Sequence, residues 1–276
     1  MEIIYSIMNF LLPFEWAKYS FMKNALLAII IVTPTLGVLS TLIVNNKMAF
    51  FSDAIGHSAL TGIAVGILIG LKLPIVSMVI YALFLAILII IIKNKTKNFT
   101  DTIIGVFSSI SLSLGVVILS KGGNFSKYTN YLIGDLLSIT PKEIIMVVII
   151  FILVLAFWGI FFNKLLVVSI NPSLAKSRGI SVLFLEIIFA SLIAIIVIFS
   201  IQWIGILIIN SLLILPAAAA RNISKNVKSY HIFSVIFSFV SGIIGLILSY
   251  YIGTATGATI VLVIGVIYFI SLIFKN

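Results

Sequence analysis

Residues 52–62 of this chain read SDAIGHSALTG and place a carboxylate and an imidazole in an otherwise apolar stretch. Asp53 and His57 are four positions apart. On an α-helix, residues with that spacing lie on the same face, about one turn from each other. Carboxylate and neutral imidazole groups are ordinary ligands of zinc, manganese and iron. The spacing therefore predicts a metal-binding pair formed by Asp53 and His57.

A purely structural explanation of the same pair stays open at this point. Asp53 could cap the N-terminus of the helix, and His57 could hydrogen-bond a neighbouring backbone carbonyl. A membrane environment favours the ligand interpretation, because ionisable groups within apolar spans are costly and mark functional sites.

The same predicted helix carries small residues at every fourth position from Ala54 to Gly70. Such residues form a stripe along one face and allow another helix to approach closely. We therefore predict that Ser58, Gly62 and Gly66 pack this helix against a neighbouring one.

The composition around this helix is that of a membrane protein. Of the 276 residues, 62% are hydrophobic and 9% are charged, whereas about a quarter of the residues in a soluble domain are charged. The net charge of +10 does not indicate nucleic-acid binding here, because the basic residues lie in short loops between apolar segments and set membrane orientation. The absence of cysteine excludes disulfides and thiolate metal sites. No P-loop pattern for binding ATP occurs.

Nine segments are apolar enough to predict spanning helices, since about 20 apolar residues cross a bilayer. They are 24–44, 53–70, 74–92, 101–120, 142–162, 182–201, 203–220, 230–250 and 256–274. The second and seventh are short and contain polar or helix-breaking residues. We therefore predict an all-α polytopic membrane protein of eight or nine spans, organised as a single domain over 1–276. If there are nine spans, the excess of Lys and Arg in alternate loops favours an outer N-terminus and an inner C-terminus.

The predicted outer connection, 121–141, contains a semi-apolar run over 128–139 that is too short to span. Such a segment is re-entrant or interfacial, and its backbone has to be covered by protein or to line a water-filled cavity. Asp135 lies within it and is either a possible gate residue or a turn residue.

The predicted inner connection, 164–181, contains a short basic helix. Asn171 or Ser173 is expected to cap it, Pro172 suits its first turn, and Gly179 is expected to end it. This helix is either a docking element for a partner or an interfacial anchor.

Three further polar residues have structural interpretations. We expect Glu186 to snorkel or to pair with a loop lysine, and Asn210 to form a hydrogen bond between helices. His231 is predicted to lie in the wet membrane interface, at the start of its span.

Six stretches resemble the permease subunits of ATP-binding-cassette importers for zinc, manganese and iron (the ABC-3 family, zinc-uptake permease type). They occur in the order and spacing typical of that family, and the resemblance covers about residues 20–274. The stretches are MAFFSDAIGHS at 48–58, DTIIG at 101–105, YLIGDLL at 131–137, the loop 173–179, Gly205 with NSLLILPAAAAR at 210–221, and GATIVLV at 257–263.

The resemblance implies a fold, partners and a site. The fold would be that of the type II, vitamin B12 importer-like permeases, working as a homodimer around a central pathway in a bacterial or archaeal cell membrane. Separate ATP-binding cassette subunits would dock on the coupling loop through Ser173, Lys176, Arg178 and Gly179, so the chain itself would not be an enzyme. An extracytoplasmic metal-binding protein would deliver the ion. No permanently bound cofactor is implied, because the divalent metal is the cargo.

The resemblance also assigns Asp53 and His57 as the metal-coordinating pair of the pathway. The stretch around Asp53 leans towards the zinc branch, with manganese or iron as the alternative. Ser108 and Ser109 stand where some zinc permeases carry another histidine, so no third ligand from this chain is implied. The small residue and proline usual after the histidine are replaced by Leu60-Thr61-Gly62, which predicts a less kinked helix.

Two other classes of function compete with this interpretation. The first is a secondary transporter driven by an ion gradient, although no clear inverted repeat is evident. The second is an intramembrane enzyme, for which Asp53 and His57 provide no nearby third catalytic group.

Overall fold

The computed structural model of the chain describes residues 5–6, 8, 10, 14–71, 73–96, 99–121 and 134–274. Within these residues every regular element is a helix. The α-helices are α1 (Ser20–Asn45), α2 (Phe51–Leu68), α3 (Pro74–Lys95), α4 (Thr100–Lys121), α5 (Pro141–Ile170), α6 (Pro172–Ser177), α7 (Val182–Ile204), α8 (Ile206–Leu212), α9 (Leu215–Ile223), α10 (Val227–Ile252) and α11 (Thr256–Ile273). Two short 3₁₀ helices cover Glu15–Lys18 and Leu136–Ser138.

Eight of the described helices are long and apolar enough to cross a membrane: α1–α5, α7, α10 and α11. The predicted seventh span, 203–220, is not one helix. Gly205 has φ = 82° between α7 and α8, and a turn separates α8 from α9. Pro216 lies in the first turn of α9, and because proline has no backbone N–H it cannot donate the hydrogen bond to residue 212 that would join α8 and α9 into one helix. The assignment of sides depends on whether this broken segment crosses the membrane, and it stays a prediction.

The described helices form two compact units. The first combines 1–41, 135–156 and 211–276, and the second combines 42–134 and 157–210. The single domain predicted over 1–276 stays a prediction.

In the second unit, α2 is the most enclosed helix and packs against α3 and α4. A Cβ atom added at Gly62 would lie 2.7 Å from the Cα atom of Met78 in α3, and one at Gly66 would lie 2.6 Å from the Ser77 Cβ. On α4, the backbone carbonyl of Ser111 accepts a hydrogen bond from the Thr61 Oγ1. Close helix approach therefore fixes α2 and leaves the face of Asp53 and His57 less covered.

In the first unit, α1 and α10 are joined by serine hydroxyls. Ser234 Oγ donates to the Gly37 carbonyl at 2.7 Å, and Ser238 Oγ donates to the Thr33 carbonyl at 2.5 Å. One turn earlier on α10, His231 lies 2.6 Å from the Thr41 hydroxyl through Nδ1, and only 8% of the residue is exposed. The prediction of a wet interfacial His231 was therefore wrong, because the α1–α10 packing encloses the ring.

Candidate metal site

The Asp53 carboxylate lies in the first turn of α2 but does not cap it. The N-cap residue is Phe50, and no side chain caps the helix there. Lys47, in the turn that follows α1, has φ = 56°. An acidic group in the first turn is still stabilised by the partial positive charge of a helix N-terminus. The capping explanation of Asp53 was therefore wrong.

Asp53 and His57 face each other across one turn of α2. His57 Nε2 lies 3.5 Å from Asp53 Oδ1, and the His57 and Asp53 side chains are 34% and 42% exposed. This distance exceeds the 2.7–3.2 Å of a normal N–H···O hydrogen bond. Two ligands about 2.0–2.1 Å from one tetrahedral zinc ion would be about 3.3 Å apart. The spacing therefore fits two ligands of one ion better than it fits a hydrogen bond.

A third side chain reaches the same carboxylate oxygen from α8. Asn210 Nδ2 donates to Asp53 Oδ1 at 2.5 Å, across 157 positions of sequence. The predicted helix-bridging hydrogen bond of Asn210 is therefore confirmed. Its partner was missed, since no local pattern relates an amide in α8 to an acid in α2. The available signal was the amide itself, placed beside a break between apolar segments.

Two glycines allow α8 to lie close to the site. A Cβ atom at Gly56 would fall 2.5 Å from the Ile206 Cδ1, so the first residue of α8 sits directly on α2. A Cβ atom at Gly134 would fall 2.5 Å from the Cα atom of Gly205, where the chain turns into α8. Both contacts place Asn210, one helical turn beyond Ile206, within reach of Asp53.

The residues predicted for helix packing lie away from the metal pair. Ser58 is fully buried and donates to the Ile55 carbonyl at 2.6 Å. Gly62 and Gly66 lie against α3, as described above. Gly70 ends the stripe with φ = 73°, and a Cβ atom added there would have no neighbour within 4 Å among the described residues. Gly70 therefore belongs to the turn after α2 and not to the packed stripe.

Asp135 is exposed and caps the 3₁₀ helix Leu136–Ser138. Its carboxylate accepts a hydrogen bond from the Leu137 backbone nitrogen at 3.0 Å. The geometry is that of the turn residue named as the alternative to a gate. The neighbouring stretch 122–133, which includes the first half of the predicted re-entrant run, lies outside the described residues.

The short basic helix of the inner connection is present as α6. The Asn171 side chain caps it by accepting from the backbone nitrogens of Ser173 and Leu174, at 3.0 and 3.1 Å. Gly179 follows the helix with φ = 73°, a conformation that glycine adopts without strain. Ser173, Lys176, Arg178 and Gly179 are all exposed, so the surface available to a partner includes both cations.

Glu186 forms the ion pair predicted for it, with a partner at the end of α3. Lys93 Nζ lies 2.9 Å from Glu186 Oε1, and Asn94 Nδ2 donates to Oε2 at 2.6 Å. Both carboxylate oxygens are thus satisfied, and Glu186 is unsuited to a pathway. The contribution of Asn94 was missed.

Within the described ranges, no three His, Cys, Asp or Glu residues are grouped to hold a metal. Asp53 and His57 are therefore a cluster of two residues of the strongest ligand types, and the amide of Asn210 lies beside them.

Comparison with known proteins identifies the transport class. The ABC 3 transport family matches residues 18–275. The chain belongs to this family. It is therefore a multi-pass ABC transporter permease of the plasma membrane, and the expected class of ATP-driven importer is supported over a secondary transporter or an intramembrane enzyme.

The relatives of this chain are named for the transport of different metals. The chain is 36% identical to the high-affinity zinc uptake system membrane protein ZnuB of Haemophilus influenzae, over 90% of this chain and 95% of the relative. It is 30% identical to the manganese transport system membrane protein MntC of Listeria monocytogenes, over 93% and 91%. Zinc and manganese are therefore both represented among proteins similar to this permease.

Two solved structures share the fold. PsaBC from Streptococcus pneumoniae, in complex with a Fab, matches with a TM-score of 0.78 and 29% identity, over 92% of this chain and 91% of that chain. A putative metal-chelate type ABC transporter in an inward-facing conformation matches with a TM-score of 0.70 and 13% identity, over 91% and 85%. The second likeness concerns the fold alone. Together they confirm the predicted all-α type II importer permease fold.

Proposed function

We propose that this permease imports a divalent transition metal, with Zn²⁺ as the first candidate and Mn²⁺ or Fe²⁺ as the alternatives. The observation that carries the proposal is the 3.5 Å separation of Asp53 Oδ1 and His57 Nε2 on one partly exposed helix face. A carboxylate oxygen and an imidazole nitrogen at that separation can share one ion. We rank zinc first because the identity to the zinc-uptake protein is the higher of the two quoted above.

The pair suits transit rather than storage. A transport site has to bind an ion strongly enough to admit it and weakly enough to release it. The two ligands that one chain supplies hold an ion less firmly than the four of a structural zinc site, so an ion that leaves the second subunit's pair is readily released. The partial exposure of both side chains leaves room for water or for groups of a second subunit.

The proposed assembly is a homodimer in which a two-fold axis brings in a second Asp53–His57 pair. ATP-binding cassette subunits dock on α6 through Ser173, Lys176, Arg178 and Gly179, and their closure drives alternating access. Support comes from the exposed, capped and basic character of this helix. An extracytoplasmic metal-binding protein supplies the ion. Asp135 is proposed as a gate residue in addition to its role at the turn, because its exposed carboxylate can attract cations.

The test uses the permease reconstituted in liposomes with its ATP-binding subunits. We expect Asp53→Ala and His57→Ala each to reduce ATP-dependent uptake of Zn²⁺ at least tenfold. The exposed Asp101 in the first turn of α4 provides a matched control, and Asp101→Ala is expected to transport normally. Competition among Zn²⁺, Mn²⁺ and Fe²⁺ then ranks the cargo. Wild-type uptake by both site variants would exclude the assigned site, and uptake without ATP would exclude the transport class.

A further inference from the structure

Two polar side chains converge on a single oxygen of Asp53. Its Oδ1 atom accepts from Asn210 Nδ2 at 2.5 Å and lies 3.5 Å from His57 Nε2. The other polar atom of the same amide, Asn210 Oδ1, is buried and has no hydrogen-bond partner among the described residues. One end of Asn210 is therefore engaged at the metal site, while the other is an unused acceptor.

An unpaired buried carbonyl calls for an explanation, because its desolvation is offset by no hydrogen bond among the described residues. The orientation of the amide follows from its neighbour. A carboxylate only accepts hydrogen bonds, so Asn210 presents its NH₂ group to Asp53 and turns its carbonyl away. The opposite orientation would set two oxygens against each other in the absence of a cation.

A cation at the site reverses this preference. Carbonyl and carboxylate oxygens together with an imidazole nitrogen are a suitable donor set for a divalent metal. A flip of the Asn210 side-chain amide about χ2 would place Oδ1, instead of Nδ2, beside Asp53. The turn sacrifices no hydrogen bond at Oδ1 among the described residues, since none is present there. The hydrogen bond lost at Nδ2 is replaced by the metal, which binds the same Asp53 oxygen.

We propose that Asn210 is the third metal ligand supplied by this chain. In the metal-free state its NH₂ group donates a hydrogen bond to the Asp53 carboxylate. In the loaded state its carbonyl oxygen coordinates the ion together with Asp53 and His57. The inference rests on the proposed function of the Asp53–His57 pair and adds a ligand to it. A neutral third ligand extends the set supplied by this chain without adding negative charge.

Two substitutions distinguish a ligand from a residue that only positions Asp53. Asn210→Leu removes both polar atoms at similar size. Asn210→Asp keeps an oxygen that can bind metal but removes the NH₂ donor. A ligand role predicts that Asn210→Leu weakens Zn²⁺ binding by about tenfold or more, while Asn210→Asp stays within about threefold of wild type or binds more tightly. A positioning role predicts that Asn210→Asp is at least as impaired as Asn210→Leu, because a second carboxylate repels Asp53.

The measurement is equilibrium binding of Zn²⁺ and Mn²⁺ to the purified transporter complex, together with the KM and kcat of uptake in liposomes. Asn222 provides the control amide, since its Nδ2 donates to Ser271 Oγ at 2.9 Å on another helix pair. Asn222→Leu is expected to leave metal affinity unchanged. Equal affinity of Asn210→Leu and wild type, or equal impairment of Asn210→Leu and Asn210→Asp, overturns the inference. Asp53→Ala is measured in parallel, and wild-type binding by that variant would instead overturn the proposed function.

A cysteine at position 210 gives a second, spectroscopic readout, which can be measured even if the substitution lowers the stability of the protein. The chain has no cysteine, so Asn210→Cys introduces its single thiol group. We expect Cd²⁺ to produce a thiolate–metal absorption band in this variant, and we expect the band to disappear when His57→Ala is added. Absence of the band in a complex that still binds Cd²⁺ overturns the ligand role of position 210.

Discussion

Gly56 of α2 and Ile206 of α8 are in such close contact that a Cβ atom at Gly56 would lie 2.5 Å from the Ile206 Cδ1 and 2.7 Å from its Cγ1. The first residue of α8 thus occupies the space that a side chain at position 56 would need. Asn210 follows one turn later on α8, and Asp53 precedes Gly56 by about one turn on α2. The contact therefore sets the depth at which the amide meets the carboxylate.

Filling this space is predicted to disturb the site through α8. Gly56→Ala forces the flexible end of Ile206 to move and is expected to destabilise the protein by about 1–3 kcal/mol, as overpacking commonly does. It should also raise the KM for metal uptake, because Asn210 is displaced from Asp53. Trimming the opposing side chain with Ile206→Val is expected to restore part of both losses. Thermal unfolding in detergent and uptake kinetics of the two single variants and the double variant check this. Additive effects would contradict the contact.

The contact between Gly134 and Gly205 is predicted to tolerate no side chain at all. Gly134 has φ = 63°, and a Cβ atom there would lie 2.5 Å from the Gly205 Cα, a backbone atom that cannot move aside as a side chain does. Gly134→Ala should therefore lower the unfolding temperature markedly and abolish transport.

Gly105 in α4 supplies the matched control for that substitution. A Cβ atom added there has no neighbour within 4 Å among the described residues, so Gly105→Ala is expected to be neutral or slightly stabilising, since alanine favours a helix by about 1 kcal/mol. Expression, thermal unfolding and uptake are measured for both variants. A Gly134→Ala protein as stable as Gly105→Ala would show that the two loops do not approach as described.

Local signals in the sequence predicted the features that depend on near neighbours. Apolar runs indicated the eight long helices, and four-residue spacing placed Asp53 and His57 on one face. Asn171 with Gly179 indicated the limits of α6. Each of these is determined within one or two helical turns, where periodicity and capping operate.

Contacts between residues far apart in the sequence could not be predicted from such local signals. The partner of Asn210 lies 157 positions away, and the hydroxyl beside His231 lies 190 positions away. No spacing rule connects such positions, since their meeting depends on how whole helices pack. The predicted boundary between the segments 182–201 and 203–220 lies near the break, but its place at Gly205 could not be deduced, because an apolar composition continues across it while the backbone adopts a positive φ.

The ion pair between Lys93 and Glu186 is predicted to contribute to stability through its burial. The side chains are 17% and 9% exposed, and Asn94 satisfies the second carboxylate oxygen. Removing one member of a buried pair leaves an uncompensated charge and costs about 3–5 kcal/mol. We therefore expect Lys93→Met or Glu186→Leu alone to lower the unfolding temperature more than the double substitution does. Thermal unfolding of the purified protein provides the measurement, and a double variant less stable than both single variants would contradict the argument.

Lys176 in α6 and Arg178 directly after it are predicted to matter for assembly and not for the metal site. Lys176 and Arg178 are exposed, and the helix is held by its own Asn171 cap, so charge reversal there should leave the fold intact. We expect Lys176→Glu combined with Arg178→Glu to reduce co-purification of the ATP-binding subunits and ATP-dependent uptake at least fivefold, with unchanged equilibrium binding of Zn²⁺. Lys225→Glu combined with Lys228→Glu serves as the control. It also reverses two exposed positive charges, but these lie near the start of α10. If both double variants lose the ATP-binding subunits equally, net charge and not α6 determines docking. If neither loses them, α6 is an interfacial anchor.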